Sequence, residues 1–269
     1  MKSRSVKSII VYLIFGFPIS FLSCTNDENP KDSFDVSFFD VKSEHVESVY
    51  NHCTAGKDDC TYMSFDYPVF KNLGKSEVLK KIQLKVNSFL LEGEQTNSFR
   101  QVTERFIKEY DEFIHDPELE QDDYSIPWYD SRKAEWITIR PNVVSIKISL
   151  SAYMGGAHPG SGIYLRNFIP STGDSLGLGM VFGDEAIKEL TEIGEMEFNK
   201  KYPLAEGESY DQAGYWFKDD VFLLTPNFAF TSEGLWFYYN EYEIASYATG
   251  PQEILIPYEK IKHLFSYTH

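Results

Sequence analysis

Apolar residues recur with two different periods along this chain, and the order of those periods limits the folds it can adopt. Three separate segments, which begin at Ser76, near Ser98 and at Asp184, carry apolar side chains every three or four positions and predict amphipathic helices. Most of the remaining chain alternates as strands do, without a regular strand–helix–strand repeat. The pattern predicts an α+β fold in which antiparallel sheets pack against a few helices.

The predicted strands lie on both sides of the first two helices. Before the helices, residues 34–49 alternate in part, and residues 61–68 form a strand that we expect Pro68 to end. After them, residues 134–140 and 143–153 are predicted to pair as a hairpin. Further strands are predicted at residues 163–168, 221–224, 227–230, 235–239 and 253–256.

The first 24 residues have the organisation of an exported lipoprotein. Three basic residues precede an apolar run at residues 9–22, which is too short to span roughly 30 Å of hydrocarbon as a helix. Phe-Leu-Ser directly before Cys24 matches the pattern of a lipidation site. We therefore expect a signal peptide at residues 1–23, lipid on Cys24 and a flexible tether at 24–42. An ordinary signal peptide followed by a chance cysteine is the alternative.

Lipid on Cys24 would place the protein in the cell envelope, attached to the outer membrane at its periplasmic face or at the cell surface. The lipid would be its one contact with the membrane. The sequence is also strongly acidic, with 41 acidic and 25 basic residues and a net charge of −16. Because such a chain repels nucleic acids, we predict no nucleic-acid partner. A basic protein or a neutral glycan fits this charge, and the oligomeric state is left open.

Two further cysteines, Cys53 and Cys60, are separated by a short polar segment. In an exported chain such a pair predicts a disulfide, which would stabilise the fold by about 2–3 kcal/mol. A metal site that used His52 with both cysteines is the alternative, but it lacks a fourth ligand at a recognisable spacing. We predict neither a metal nor a cofactor.

Several motifs in the second half of the chain resemble, in order, those of an envelope domain of unknown function. Tyr153 to His158 match its Y-x-GGAH signature, and Tyr242 to Gly250 match its YEIAPYAxG segment. Between them, Asn167-Phe168, Asn227-Phe228 and Gly234 to Tyr239 are similar to its other strands. The preceding part of the chain resembles the companion domain usually found before it. The resemblance implies two closely associated subdomains, at residues 43–150 and 151–269.

This pair of domains occurs in C-type peptidoglycan deacetylases, in anti-sigma factors that sense lysozyme by binding it, and in free-standing lipoproteins. The resemblance therefore implies an envelope recognition module, which binds peptidoglycan, another glycan or a basic protein such as lysozyme. It supplies no reaction, because the sequence lacks the motifs of the catalytic deacetylase domain. Ser246 stands where the pattern has Pro, which leaves the geometry of that loop open.

The candidate ligand-binding residues come from the two strongest motifs. They are Tyr153, Gly155, Gly156, His158, Tyr242, Glu243 and Tyr247. The glycines allow a sharp bend after a strand, and tyrosines beside carboxylates can stack on a sugar or anchor a cationic protein. The same residues could instead have purely structural roles. A small hydrolase that uses His158 with nearby carboxylates is the alternative function, although no catalytic residue is predicted because no nucleophile or triad accompanies His158.

Overall fold

The computed structural model describes residues 40–71, 76–117, 126–140 and 142–267. The described residues form a five-stranded sheet, a three-stranded sheet and five α-helices, which confirms the α+β class. Cys24, the predicted signal peptide and most of the predicted tether lie outside these ranges. Within them, no helix combines the length and the apolar character needed to cross a membrane.

The five-stranded sheet follows the order of the chain. Its strands are β1 (Val41–Val49), β2 (Tyr62–Phe70), β3 (Tyr129–Ile139), β4 (Val144–Tyr153) and β5 (Gly160–Phe168). The predicted hairpin is formed by β3 and β4. The expectation of purely antiparallel sheets is wrong at one place, since β2 and β3 are parallel. The reason is that two helices connect these strands and carry the chain from the end of β2 back to the end of the sheet at which β2 begins, where it enters β3.

Helices α1 (Glu77–Leu90) and α2 (Phe99–Ile114) cover one face of this sheet. Both begin where the sequence predicts, because Ser76 Oγ accepts a hydrogen bond from the Leu79 amide and Ser98 Oγ accepts one from the Gln101 amide. Their apolar sides pack on Met63, Phe65 and neighbouring strand residues to form the N-terminal core.

Pro68 does not end β2, which continues to Phe70. The Pro68 carbonyl accepts a hydrogen bond from Gln83 Nε2 at 3.0 Å, and the Phe70 amide donates to Gln83 Oε1 at 3.4 Å. The backbone groups of these two residues therefore face α1, away from β1. A proline is tolerated here because its missing N–H would not have paired with β1.

The C-terminal part contains the second sheet and the second core. Its elements are α3 (Leu178–Val181), α4 (Asp184–Lys201), β6 (Phe228–Phe230), β7 (Gly234–Tyr239), β8 (Gln252–Pro257) and α5 (Tyr258–Ile261). The strand predicted at 221–224 is absent, although the residues alternate as expected: Phe222 is buried, whereas Val221 and Leu223 are exposed. Phe222 packs in an aromatic cluster around Phe198, so burial of one ring explains the pattern without a strand partner.

Asparagine side chains join the two sheets along the edge of β5. Asn227 accepts a hydrogen bond from the Leu165 amide at 2.7 Å and donates to the carbonyls of Ile163 and Tyr238, each at 2.8 Å. Asn240 Oδ1 accepts from the Ile163 amide at 2.7 Å. These amides satisfy backbone groups that an edge strand would otherwise leave open. The predicted boundary after residue 150 falls inside β4, and the chain leaves the five-stranded sheet after Phe168.

Candidate functional site

Three of the predicted ligand-binding side chains meet on the surface where the β4–β5 loop approaches the segment after β7. The ring of His158 stacks on the ring of Tyr247, with centroids 3.7 Å apart and planes 18° apart. Tyr242 completes the group, with its ring centroid 5.9 Å from that of Tyr247 and its hydroxyl 3.3 Å from His158 Nε2. We call these three residues the His–Tyr cluster. His158 and Tyr242 are exposed, and Tyr247 is half-buried.

The backbone of the turn after β7 directs Tyr242 outward. Tyr242 has a φ of 63°, a left-handed conformation that is costly for an aromatic residue. The turn is held by Glu243, whose carboxylate accepts hydrogen bonds from the Asn240 amide at 2.9 Å and from Thr225 Oγ1 at 2.6 Å. Glu243, predicted from the sequence to bind ligand, thus holds the turn that presents Tyr242.

Strand β7 provides a rigid start for this turn. Tyr239, its last residue, is buried, and its hydroxyl donates to the Leu223 carbonyl at 2.7 Å. Burial raises the pKa of Tyr239 well above its ordinary value, so the phenol remains a neutral donor. The exposed ring of Tyr242 therefore stands three residues from a fixed point of the C-terminal core.

The other side of the cluster depends on the two predicted glycines. Gly155 and Gly156 have φ values of 96° and 102°, which a glycine adopts without the strain that a side chain would add. They turn the chain between β4 and β5 so that His158 reaches Tyr247. The Pro159 carbonyl then lies 3.0 Å from His158 Nδ1 and accepts a hydrogen bond from the Tyr247 hydroxyl at 3.4 Å.

Tyr153 belongs to a different surface. Its hydroxyl donates to the Gly156 carbonyl at 2.8 Å, but its ring lies beside Tyr129 on the neighbouring strand, with centroids 6.4 Å apart. Tyr129 in turn pairs with Tyr62. Neither Tyr62 nor Tyr129 was predicted from the sequence, because only the register of three strands shows that they align with Tyr153.

The chemistry of the His–Tyr cluster suits contact better than catalysis. One ring nitrogen of His158 lies against a carbonyl and the other against a phenol. Among the described residues, no carboxylate forms an ion pair or hydrogen bond with this ring, and no group of three or more His, Cys, Asp or Glu residues could hold a metal ion. Glu241, which precedes Tyr242 in the sequence, has its Oε1 3.3 Å from Ser161 Oγ.

The predicted disulfide between Cys53 and Cys60 is confirmed, with their Cα atoms 5.4 Å apart. It closes the loop that leads from β1 to β2. This loop lies beside Tyr62 and Tyr153, at the same end of the sheet as Tyr129. The metal alternative with His52 is wrong for these cysteines because both sulfurs are in the disulfide.

Two family models match the chain. Residues 54–161 match the model described as "Deacetylase PdaC", and residues 181–259 match the model described as "Protein of unknown function (DUF3298)". No curated protein matches the sequence. The two models follow each other in the order that the motif resemblance implies.

Two crystal structures of DUF3298 family proteins have similar folds. The protein from Bacteroides fragilis has a TM-score of 0.62 and 20% identity, and the match covers 84% of this chain and 94% of the other. The protein from Pseudomonas aeruginosa PAO1 has a TM-score of 0.55 and 18% identity, with coverage of 82% and 92%. At these identities the likeness concerns the fold alone, and it extends over both sheets of the present chain.

Proposed function

Because this chain joins a PdaC-like domain to a DUF3298 domain, we propose that it is a non-catalytic recognition protein of the cell envelope. Its partner is a basic protein such as lysozyme, and the contact surface is the His–Tyr cluster. One observation carries the proposal: His158 from the β4–β5 loop meets Tyr242 and Tyr247 from the segment after β7, and the three form an aromatic group at the surface.

The composition of the surface supports a protein partner. Tyrosine rings bury a large area at a small cost in conformational entropy, and they are frequent among the residues that dominate binding energies. Tyr242 is 56% exposed, although its position in the turn carries backbone strain. Strain that is retained at an exposed aromatic residue is more easily explained by a function than by stability.

The charge of the protein supports a basic partner. The net charge of −16 favours the encounter with a cationic protein and opposes binding of an anionic one. Glu241 and Glu243 flank Tyr242 in sequence, which adds negative charge beside the cluster. Because much of this attraction acts across solvent, the affinity should fall as salt is added.

Calorimetric titration of the protein with lysozyme tests this proposal. We expect saturable binding in low salt, and the variant Tyr247→Ala should weaken it by about thirtyfold, the effect of losing roughly 2 kcal/mol at a central contact. Tyr164→Ala is the matched control, since this tyrosine is 39% exposed but lies on β5 outside the cluster. Absence of binding, or equal weakening by both variants, would reject the assignment.

A hydrolase that uses His158 is the alternative, and the same protein can test it. Turnover of peptidoglycan fragments that is abolished by His158→Ala, without loss of the fold, would favour an enzyme. We expect no turnover, since the described residues place no nucleophile and no coupled carboxylate on this ring.

Attachment through Cys24 is a separate part of the proposal, and it rests on the sequence pattern before this residue. We expect the protein in the membrane fraction of a bacterium that processes lipoproteins, and we expect Cys24→Ala to move it into the soluble fraction. Mass spectrometry of the N-terminal peptide should show diacylglycerol on this cysteine. A mature protein that starts elsewhere and carries no lipid would reject the anchor.

A further inference from the structure

Three tyrosines form a row across the end of the five-stranded sheet. Tyr62 on β2, Tyr129 on β3 and Tyr153 on β4 are direct partners in the strand register. The first two rings are nearly parallel, at 14°, with centroids 5.9 Å apart, and the second and third centroids are 6.4 Å apart. We call this set the tyrosine row.

The tyrosine row lies on the face of the sheet opposite the helices. Met63, the residue after Tyr62, is buried in the core beneath α1 and α2. Because successive side chains of a strand point to opposite faces, Tyr62 and its register partners project away from that core. All three rings are half-buried, so each keeps surface available to a ligand.

A cleft opens beside the row. It has a volume of about 540 Å³, within the range of roughly 300–1,000 Å³ that is usual for small-molecule sites. The three tyrosines and Ser151 line the sheet side, and the disulfide-closed loop contributes residues 56–58 and Cys60 on the other side. The cleft thus combines aromatic surface with hydroxyl groups and a polar wall.

The wall of the cleft is held in place before any ligand binds. The Cys53–Cys60 disulfide closes the loop, and the Cys60 amide donates to the Lys57 carbonyl at 3.0 Å. The Tyr62 amide donates to the Trp128 carbonyl at 3.0 Å, which fixes the start of β2 beside the start of β3. A preformed wall reduces the ordering cost of binding.

The charges of the cleft indicate which class of ligand it fits. Lys57 and Asp58 carry opposite charges, and the other lining residues are uncharged. Burial, with smaller effects of Tyr129 and Glu47, raises the pKa of Tyr62 and keeps its hydroxyl neutral. A nucleotide could also stack on tyrosines, but its phosphates would be repelled by a protein of net charge −16.

We propose that the tyrosine row and the disulfide loop form a binding site for a neutral saccharide chain. The apolar faces of sugar rings would pack on the tyrosines, and the sugar hydroxyls would bond to Ser151, the phenols and the polar loop. This site is separate from the His–Tyr cluster, and it extends the proposed envelope function from a protein partner to a glycan.

Titration calorimetry of the full chain with three neutral probes tests the site: N-acetylated chitotetraose, cellotetraose and maltotetraose. We expect saturable binding of at least one probe. Tyr129→Ala should weaken it by about fivefold or more, because base-stacking aromatics of similar size contribute at least this much. Tyr129→Phe keeps the ring and should bind nearly as well as the unchanged protein.

Three controls keep the outcome interpretable. Tyr164→Ala should leave saccharide binding unchanged, and circular dichroism should show that each variant is folded. If Tyr129→Ala does not fold, Lys57→Ala and Asp58→Ala together replace it, since both side chains are exposed on the loop and should also weaken binding. Lysozyme binding by the same variants should be unchanged, so failure at one site is distinguishable from failure at the other. No binding of any probe at millimolar concentration, or binding indifferent to all cleft variants, would overturn the proposal.

Discussion

The two cores of this protein are built in different ways. The C-terminal core is centred on one aromatic residue, Phe198, whose ring lies near six others. These are Tyr202, Tyr210, Tyr215, Phe217, Phe222 and Tyr239. The N-terminal core instead packs two long helices against five paired strands. At its edges, a disulfide closes one loop and Arg132 forms ion pairs with acidic residues.

The difference shows how each part holds its irregular segments. In the C-terminal part, residues 202–227 contain no α-helix or strand, and burial of their aromatic rings around Phe198 positions them. In the N-terminal part, the hydrogen bonds between paired strands hold most of the chain in position, and a disulfide closes the β1–β2 loop. We therefore expect a few single side chains to contribute most of the stability of the C-terminal part, whereas many smaller interactions share it in the N-terminal part.

The largest expected effect comes from removing the central ring. Phe198→Ala should lower the free energy of unfolding by about 4 kcal/mol, since the ring is completely buried and leaves a large cavity. Denaturant unfolding measures this. Met196→Ala on the same helix is the control, because that side chain is 59% exposed, and its effect should stay within about 0.5 kcal/mol. Similar losses for the two variants would contradict the central position of Phe198.

The link between the cores is tested by Asn227→Ala, which leaves the Leu165 amide and the Tyr238 carbonyl without this partner, whereas the Ile163 carbonyl keeps its hydrogen bond from Asn240. We expect a loss of about 3 kcal/mol, because each unsatisfied buried group costs roughly 1–3 kcal/mol and water can replace part of the loss. Unfolding followed at several probes should separate into two transitions. Asn142→Ala, at an exposed amide in the β3–β4 turn, serves as control. A single unchanged transition would show that Asn227 does not couple the two sheets.

The disulfide should contribute less. Replacing both Cys53 and Cys60 by alanine should lower the free energy of unfolding by about 2 kcal/mol, the value for a short closed loop. The measurement is made in the Asn227→Ala background, where we expect the two parts to unfold in separate transitions. The loss should appear in the N-terminal transition, and the melting of the aromatic cluster around Phe198 should be unchanged. Equal destabilisation of both transitions would contradict the local role of this bond.

The smallest effect is a dependence of the free energy of unfolding on alkaline pH, to which Tyr210 of the aromatic core contributes. Burial, opposed by a hydrogen bond with Asn199 and reinforced by Glu195, raises the pKa of Tyr210 to about 12. The unfolded chain, with an ordinary tyrosine pKa near 10, loses its proton first, so stability falls as the pH rises from about 10 to 12.

Tyr210→Phe removes this contribution, which should amount to about 1 kcal/mol at pH 11. The variant also loses hydrogen bonds to Glu195 and Asn199 at every pH, so the diagnostic quantity is the slope of stability against pH. Thermal melts between pH 8 and 11 measure that slope. An equal slope in the variant and the unchanged protein would contradict the pKa of Tyr210.

Local patterns in the sequence are sufficient to predict much of this fold. Serine caps and apolar spacing locate α1 and α2, and alternation locates the β3–β4 hairpin. The parallel pairing of β2 and β3 is not predictable in this way, because it depends on where two helices return the chain. At residues 221–224 the sequence predicts a strand that the structure lacks, because burial of Phe222 in the aromatic cluster produces the same alternation as a strand.

The candidate site was predictable to a similar degree. The sequence motifs predict that His158, Tyr242 and Tyr247 belong to one ligand-binding group, and the structure places them in contact. The same reasoning could not separate Glu243, which holds a turn, or Tyr153, which belongs to the tyrosine row. Both distinctions depend on hydrogen bonds and strand register between residues that are distant in sequence.

The central claim is that a basic protein binds the His–Tyr cluster, and hydrogen exchange of the protein with and without lysozyme tests it most directly. We predict slower exchange in residues 154–159 and 240–248, with no change at the ends of β2 and β3 that carry Tyr62 and Tyr129. Protection at that sheet end, or no protection of either loop at saturating lysozyme, would contradict the claim.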